Sequence, residues 1–309
     1  MKAVLKVGET RARLWKKHMS SILPEIDILL ADEDIERDTV EFAIVWKPEP
    51  GWLATFPNLK CIISIGAGVD HILCDPHLPA DIPIIRTTGK DLSARMREYI
   101  ILQVLRLHRR LPEVEAAQRR REWCQIVTPP ANESNIGIMG LGNLGADCAN
   151  SLAAIGFNVA GWARSAKSIN GVSCFVGDGE LAAFLARTET LICMLPLTPK
   201  TAGILNSNLF RQLPKGANII NVARGQHLVD EDLLAALDSG QIGTATLDVF
   251  HVEPLPADHV FWSHPSVLVT PHIASLIEPE TGGERIAENL RAFIAGEPVV
   301  DLVPAEKGY

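Results

Sequence analysis

Three segments in the last third of the chain place polar side chains directly after apolar runs. These segments are Asn221-Val-Ala-Arg-Gly, Leu247-Asp-Val-Phe-His-Val-Glu-Pro and Thr270-Pro-His-Ile-Ala. Short apolar runs are typical of buried strands, and the carboxyl ends of parallel strands meet at one edge of a sheet, where open α/β folds place their sites. We therefore expect Arg224, Glu253 and His272 to lie on one face of one sheet.

The three side-chain types suit the reduction of a carbonyl group. Arg224 can bind and polarise a carbonyl oxygen, because its guanidinium is always charged and forked. His272 can donate a proton to that oxygen, and a carboxylate such as Glu253 favours the charged imidazole. Each residue alone is weak evidence, since a lone histidine such as His259 or His264 is more often a loop residue. Together, downstream of a nucleotide-binding motif, they form a much stronger pattern.

A glycine-rich segment in the middle of the chain has the spacing of a phosphate-binding loop. Gly140, Gly142 and Gly145 form a G-x-G-x-x-G pattern. The pattern lies between a predicted strand at Asn135–Met139 and a predicted helix at Ala146–Ile155. The first glycine allows a tight turn, the second lets the backbone approach a pyrophosphate, and the third permits close helix packing. A purely structural turn is the alternative, but the position between strand and helix favours a dinucleotide.

The end of the next predicted strand, Asn158–Trp162, bears on which dinucleotide is bound. An NAD site places Asp or Glu near this point to accept from the ribose 2′-hydroxyl. Here Ala163 takes the acidic place, and Arg164 and Ser165 can both donate to a 2′-phosphate. The pattern predicts NADPH, with NADH used more weakly. The alternative is that Arg164 is a solvated surface residue.

Two series of short apolar runs must position these residues. The first series predicts strands at Ala3–Val7, Ile26–Ala31, Glu41–Trp46, Cys61–Ile65 and Ile82–Arg86. The second predicts strands at Asn135–Met139, Asn158–Trp162, Thr190–Leu195, Ala217–Val222, Gly243–Leu247 and Val267–Thr270. Helical patterns cover Leu92–Glu122, Gly179–Ala186, Asp230–Ser239 and Glu278–Ala295. This spacing indicates an α/β protein of two doubly wound parallel-sheet domains, with the cleft between them as the default ligand site.

Composition argues against several other classes of protein. A chain of 309 residues that is 47% hydrophobic suits two domains with buried cores rather than disorder. The net charge is −8 and basic residues form only short clusters, so we expect no nucleic-acid partner. No apolar run approaches about 18 residues, so we expect no membrane partner. Six cysteines without a CxxC pair are interpreted as free thiols in a cytoplasmic protein without a metal.

The motifs resemble the D-isomer-specific 2-hydroxyacid dehydrogenase family, and within it the glyoxylate/hydroxypyruvate reductase A branch. The resemblance covers nearly the whole chain. Its segments are Ile63-Ser-Ile-Gly-Ala-Gly-Val-Asp-His-Ile, Met96-Arg-Glu-Tyr, the glycine loop, Leu195-Pro-Leu-Thr-Pro, Asn221-Val-Ala-Arg-Gly, Leu247-Asp-Val-Phe and Pro271-His. It implies NADPH-dependent reduction of glyoxylate, hydroxypyruvate or another small 2-keto acid. It also implies a homodimer, a flavodoxin-like substrate domain (1–97 plus 276–309) and a Rossmann-type NAD(P)-binding domain (98–275).

The resemblance also implies roles for individual residues. Arg224 would bind the substrate carbonyl and carboxylate, Glu253 would orient the imidazole, and His272 would donate the proton. Further substrate contacts would come from the backbone amides of Ala67 and Gly68 and from the ring of Trp46. Further cofactor contacts would come from Leu141, Asn143, Leu144, Pro196, Thr198, Val222, Ala223 and Asp248, the last accepting from the nicotinamide carboxamide.

Some of these roles have structural alternatives. The Gly-Ala-Gly context of Ala67 and Gly68 also suits a plain turn. Trp46 could serve only in core packing, and Asp248 could cap the end of a strand.

Two rival functions stay open. The first is oxidation of D-lactate or phosphoglycerate within the same family. The absence of the acidic residue of an NAD site argues against it, as does the lack of a regulatory domain after Tyr309. The second is a dinucleotide-sensing binding protein of the corepressor kind, which can retain the same three polar residues. The long disordered tail and peptide groove of such sensors have no counterpart in this sequence.

Overall fold

The computed structural model describes residues 1–303, with residues 9 and 10 described by their backbone alone. The chain divides into two compact units. Unit 1 consists of Met1–Leu92 together with the chain from Ile277 onward, and unit 2 is Ser93–Leu276. The boundaries predicted from the sequence lie after residues 97 and 275. Every helix within residues 1–303 falls short of the length and apolarity needed to span a bilayer.

Twelve strands and nine helices are formed by the described residues. The strands are β1 Lys2–Lys6, β2 Asp27–Leu30, β3 Phe42–Val45, β4 Cys61–Ser64, β5 Ile84–Arg86, β6 Asn135–Met139, β7 Asn158–Ala163, β8 Val172–Val176, β9 Thr190–Cys193, β10 Ala217–Asn221, β11 Ile242–Leu247 and β12 Val267–Val269. The helices are α1 Glu9–Ile22, α2 Asp70–Leu73, α3 Lys90–His108, α4 Leu111–Arg119, α5 Asn143–Ile155, α6 Gly177–Ala186, α7 Ser207–Phe210, α8 Asp230–Asp238 and α9 Pro279–Ala295.

Unit 1 is built on a parallel sheet with the strand order β2-β1-β3-β4-β5. This is the flavodoxin-like order, and its central strands β3 and β4 are buried at every position. The last helix, α9, packs on α1 at close range. A Cβ atom on Gly282 would lie 3.0 Å from the buried ring of Trp15, so glycine permits this approach.

Unit 2 is built on a seven-stranded parallel sheet with the order β12-β11-β10-β9-β6-β7-β8. The chain starts in the middle at β6, runs outward through β7 and β8, and then continues on the other side from β9 to β12. This is the Rossmann order with one further strand at the edge. The prediction of two doubly wound parallel-sheet domains, one flavodoxin-like and one Rossmann-type, is therefore confirmed.

The structure corrects the sequence analysis at the long helix predicted over Leu92–Glu122. That segment forms two helices, α3 and α4, separated by Arg110 in the left-handed conformation with φ 53°. Pro112 explains the break, because it has no N–H for the carbonyl four residues earlier and its ring clashes there. The prediction also missed the edge strand β8, because its partly exposed sequence Val-Ser-Cys-Phe-Val lacks a continuous apolar run.

Candidate active site

The carboxyl edge of the unit 2 sheet carries most of the residues singled out above. Strands β10, β11 and β12 are neighbours and run parallel, so their carboxyl ends lie side by side. Arg224 follows β10, Glu253 follows β11 and His272 follows β12. The glycine loop follows β6 at the same edge, because all seven strands are parallel. One edge of one sheet thus holds the three polar side chains and the phosphate-loop motif.

His272 and Glu253 form a direct pair. The imidazole Nδ1 lies 2.8 Å from Oε2 of Glu253. The other carboxylate oxygen, Oε1, accepts a hydrogen bond from the backbone N–H of Phe250 at 3.0 Å, which fixes the carboxylate in its own loop. The side chains of His272 and Glu253 are 29% and 17% exposed, so the pair is sheltered but reachable from solvent. Because Nδ1 lies on the carboxylate, a proton that this ring transfers to a substrate would come from Nε2.

Asp248 holds the turn that carries His272. Its buried carboxylate accepts hydrogen bonds from the Thr270 hydroxyl at 2.5 Å and from the amides of Ile273 at 2.9 Å and Ala274 at 2.8 Å. Its backbone carbonyl accepts from the His272 amide at 2.9 Å. His272 adopts φ 53°, a conformation that non-glycine residues rarely take, and these bonds stabilise it. The Asp248 carboxylate thus caps the turn that carries His272.

The Asp248 carboxyl predicts a pH-dependent stability. Burial raises its pKa above the ordinary value of 3.8, and its hydrogen bonds offset part of that rise. The folded state therefore holds the proton more tightly than the unfolded state. The stabilisation from this carboxyl is fully present below the unfolded pKa and is lost as the pH rises through the raised folded value.

Asp248→Asn should remove this dependence, because an amide does not titrate. Urea unfolding from acid to neutral pH should show the stability difference between wild type and variant shifting in favour of the variant as the pH rises. The control is Thr188→Val, which removes a buried hydroxyl that donates to the Phe184 carbonyl at 2.7 Å. Its difference from wild type should stay constant with pH. If the stability difference instead shifted in favour of the wild type as the pH rises, the raised pKa of Asp248 would be contradicted.

The turn that carries Arg224 is tightly held. The Asn221 side chain donates to the Arg224 carbonyl at 3.0 Å and accepts from the Ala223 amide at 3.2 Å. The guanidinium donates to the Ala223 carbonyl at 2.6 Å. Gly225 follows, and a Cβ atom there would lie 2.0 Å from the carbonyl carbon of Phe250. Glycine therefore lets the Arg224 turn pack against the loop that leads to Glu253.

The glycine loop has the shape of a phosphate cradle. A Cβ on Gly140, whose φ is 102°, would lie 2.6 Å from the Met194 carbonyl oxygen. A Cβ on Gly145 would lie 1.9 Å from the Gly140 carbonyl oxygen. Gly142, in contrast, is exposed and has no atom within 4 Å of its Cβ position. The outer glycines are therefore required by packing. The middle one leaves open space at the start of α5, where a pyrophosphate would meet helix N-terminal amides.

The other residues of the expected cofactor site follow strands at the same edge. Arg164 and Ser165 are exposed just beyond β7, and Ala163 ends that strand. After β9, the Thr201 hydroxyl donates to the Pro196 carbonyl at 2.7 Å and accepts from the Thr198 amide at 2.8 Å. The remaining residues of this set are the buried Leu141, Val222 and Ala223, the exposed Asn143 and the half-buried Leu144. These residues thus line one edge of the unit 2 sheet.

Three of the expected substrate residues lie in unit 1. Trp46 follows β3, and Ala67 and Gly68 follow the neighbouring β4. A Cβ atom on Gly66 would lie 2.6 Å from the Trp46 ring, so the ring is packed onto this glycine-rich turn. The turn is held by the Ser64 hydroxyl, which donates to the Gly68 carbonyl at 3.0 Å. Unit 1 thus brings these three residues together.

Two side chains that support the site were not identified from the sequence. The Tyr99 hydroxyl lies 2.7 Å from the Thr270 hydroxyl, which itself donates to Asp248. His227 is fully buried next to the Arg224 turn. Tyr99 falls within the Met96-Arg-Glu-Tyr motif, and His227 lies three residues after Arg224, but neither position alone indicates which atoms meet. In the described part of the chain, no cluster of His, Cys, Asp or Glu side chains could hold a metal ion.

Comparison with known proteins identifies the family. Residues 101–274 match the model for the D-isomer specific 2-hydroxyacid dehydrogenase, NAD binding domain. The chain is 42% identical over 303 residues to glyoxylate/hydroxypyruvate reductase A of Yersinia enterocolitica, covering 96% of each chain. The same figures hold for the glyoxylate/hydroxypyruvate reductase A of Serratia proteamaculans. The chain therefore belongs to the D-isomer specific 2-hydroxyacid dehydrogenase family, as its motifs predicted, and is an oxidoreductase.

Solved structures give the same answer. A D-isomer specific 2-hydroxyacid dehydrogenase from Xanthobacter autotrophicus Py2, in complex with NADPH and MES, is 42% identical with a TM-score of 0.92 over 99% of each chain. The NADPH-dependent glyoxylate/hydroxypyruvate reductase from Sinorhizobium meliloti, in complex with NADP and sulfate, is 36% identical. Its TM-score is 0.93 over 100% of each chain. Both comparisons support the predicted fold over its full length.

Proposed function

We propose that this chain reduces small 2-keto acids with NADPH, converting glyoxylate to glycolate and hydroxypyruvate to D-glycerate. The observation that carries the proposal is the His272–Glu253 pair, at the sheet edge that also holds Arg224 and the glycine loop. The names of the relatives and the NADPH and NADP complexes of its structural neighbours support this choice of reaction and cofactor.

The side chains divide the work of carbonyl reduction among them. His272 donates the proton from Nε2 to the C2 oxygen, while Glu253 on Nδ1 fixes the orientation of the ring. Arg224 binds the carbonyl oxygen and the carboxylate and stabilises the negative charge that develops on that oxygen. The amides of Ala67 and Gly68 bind the substrate carboxylate. When bound, NADPH supplies the hydride for the carbonyl carbon, and NADP⁺ and the hydroxy acid are the products.

The cofactor is assigned to the carboxyl edge of unit 2. The amides at the start of α5 would receive the pyrophosphate, because Gly142 leaves open space beside them. Arg164 and Ser165 would donate to the 2′-phosphate. The nicotinamide end is assigned to Pro196, Thr198, Val222, Ala223 and Asp248, and Trp46 is assigned as a further substrate contact.

A turnover assay tests the proposed function. Oxidation of NADPH, followed by its absorbance, should be rapid with glyoxylate or hydroxypyruvate, and a panel of further keto acids such as phenylpyruvate should be assayed beside them. A protein that binds NADPH but turns over no member of such a panel would be a dinucleotide-sensing binding protein instead. Faster oxidation of D-lactate or phosphoglycerate than reduction of any keto acid would favour the other rival function.

Cofactor choice depends on the end of β7. Arg164→Ala should raise the KM for NADPH and leave that for NADH almost unchanged, because only NADPH carries the 2′-phosphate to which the guanidinium would donate. Hydrogen bonds to charged groups contribute about 1.5–3 kcal/mol, or about 10- to 150-fold, and salt screening at an exposed site reduces this. The double variant Ala163→Asp, Arg164→Ala should favour NADH.

The control for this experiment is Arg211→Ala, which removes another arginine of unit 2. Its KM values for both cofactors should match the wild type. Equal efficiency of wild-type protein with NADH and NADPH at moderate salt would show that Arg164 does not select the cofactor.

We also propose that the chain forms a homodimer in the cytoplasm. Trp123 and Val127 are 92% and 95% exposed, and Leu102 on α3 is 60% exposed. Trp123 and Val127 lie on the same segment after α4, and large apolar side chains exposed close together in the chain indicate a surface that another protein covers. Light scattering should give twice the mass of the chain, and Trp123→Ser with Val127→Ser should lower that mass toward the monomer. An unchanged mass in this variant would remove the segment from the interface.

A further inference from the structure

A fully buried histidine lies beside the proposed site without a role in the chemistry described above. His227 has 0% exposure and ends the short turn that follows Arg224. Its ring nitrogens both approach backbone carbonyl oxygens. Nδ1 lies 3.2 Å from the Arg224 oxygen, and Nε2 lies 3.3 Å from the Pro196 oxygen. A buried imidazole is costly unless such polar contacts offset its desolvation, so this placement has a specific basis.

The two carbonyls belong to different loops. The Arg224 oxygen lies in the turn after β10 and also accepts from Asn221. The Pro196 oxygen lies in the loop after β9 and also accepts from Thr201. The imidazole therefore lies between the turn that carries Arg224 and the loop assigned to the nicotinamide end. Hydrogen bonds to both carbonyls need a hydrogen on each ring nitrogen, because a neutral imidazole has one donor and one acceptor nitrogen.

Backbone bonds seat the histidine between these loops. The Leu205 amide donates to the His227 carbonyl at 2.8 Å, and the Gly203 amide donates to the Gln226 carbonyl at 2.8 Å. The backbone around residue 227 is therefore fixed from the side of the β9 loop. A change in the ring then alters the bridge without releasing the main chain.

We propose that His227 is a positioning residue that couples substrate binding at Arg224 to cofactor binding at the Pro196–Thr198 loop. This inference rests on the proposed function, because the roles of both loops come from it. The ring acts through the two carbonyls and touches neither substrate nor cofactor. The contact of Nδ1 with the Arg224 carbonyl should affect substrate binding, and the contact of Nε2 with the Pro196 carbonyl should affect cofactor binding.

Two conservative variants separate the contacts. The amide nitrogen of asparagine lies about where Nδ1 lies, and that of glutamine reaches about as far as Nε2. His227→Asn should keep the KM for glyoxylate near that of wild type and weaken NADPH binding about 2- to 13-fold, the usual range for one lost hydrogen bond. His227→Gln should raise the KM for glyoxylate and leave NADPH binding near that of wild type. His227→Phe should weaken the binding of both glyoxylate and NADPH. NADPH binding is measured by its fluorescence, without turnover.

The control is Thr188→Val. Thr188 lies just before β9, at the opposite edge of the same sheet, and the variant loses a buried hydrogen bond to the Phe184 carbonyl. It should change neither constant. The proposal is overturned if His227→Phe folds like wild type and keeps the KM for glyoxylate and the Kd for NADPH within about twofold. It is also overturned if His227→Asn and His227→Gln each weaken the binding of both ligands as His227→Phe does. If His227→Phe does not fold, the comparison of His227→Asn with His227→Gln tests the proposal by itself. A wild type without turnover would reject the proposed function, whereas NADPH binding would still test the cofactor side of the bridge.

Discussion

His272→Asn should lower the turnover of glyoxylate with NADPH about 10²- to 10⁴-fold, the usual contribution of general acid catalysis. The proton for the C2 oxygen would then have to come from water. Asparagine is preferred to alanine because it tolerates the left-handed conformation at φ 53°, so the turn and its bonds to Asp248 are retained. Steady-state kinetics should show the loss in kcat, and NADPH fluorescence should show nearly unchanged cofactor binding.

The matched control is His264→Asn, which replaces another partly buried histidine of unit 2 that lies before β12. Its turnover should stay close to that of wild type. If His272→Asn retained near-normal turnover while His264→Asn did not, the general acid would have to be sought elsewhere. Loss of NADPH binding in His272→Asn would instead indicate damage to the fold of the edge.

Arg224→Ala should reduce kcat/KM for the keto acid by about 10²- to 10⁴-fold. The forked guanidinium would make two hydrogen bonds to charged or developing anionic oxygens, each contributing about 1.5–3 kcal/mol. Both KM and kcat should change, because Arg224 contacts the carboxylate in the ground state and the carbonyl oxygen in the transition state. Arg224→Lys should recover only part of the loss, since an ammonium keeps the charge but not the fork.

Direct measurement of NADPH binding completes this test. The Kd for NADPH should stay near that of wild type in Arg224→Ala, because the phosphate cradle and Arg164 are untouched. A loss confined to KM, with kcat unchanged, would mean that Arg224 binds substrate without stabilising the transition state. A loss confined to NADPH binding would move Arg224 from the substrate to the cofactor.

The sequence was sufficient for the architecture and for the edge that holds the site. Buried parallel strands such as β9 and β10 are almost wholly apolar, so their runs stand out and their carboxyl ends can be located. The glycine spacing adds a loop whose geometry follows from sterics alone. With strand order from the fold, Arg224, Glu253 and His272 had to share one edge.

Other features depend on contacts that are distant along the chain. The three hydrogen bonds on Asp248 come from residues 270–274, and the bridge at His227 joins two loops after different strands. Neither leaves a periodic signal in the sequence. The edge strand β8 was missed because partial exposure admits polar residues. The break at Arg110 depended on weighing Pro112 against a long helical pattern on either side of it.

The glycine loop separates the requirements of the fold from those of the cofactor. Side chains at Gly140 or Gly145 would collide with backbone atoms, so changes there endanger the domain itself. Gly142 faces open space, and a side chain there would fill the cradle while leaving strand and helix in place. A duplicated gene could therefore lose catalysis at this one position and still encode a folded protein. Such a copy would be free to evolve toward binding other partners.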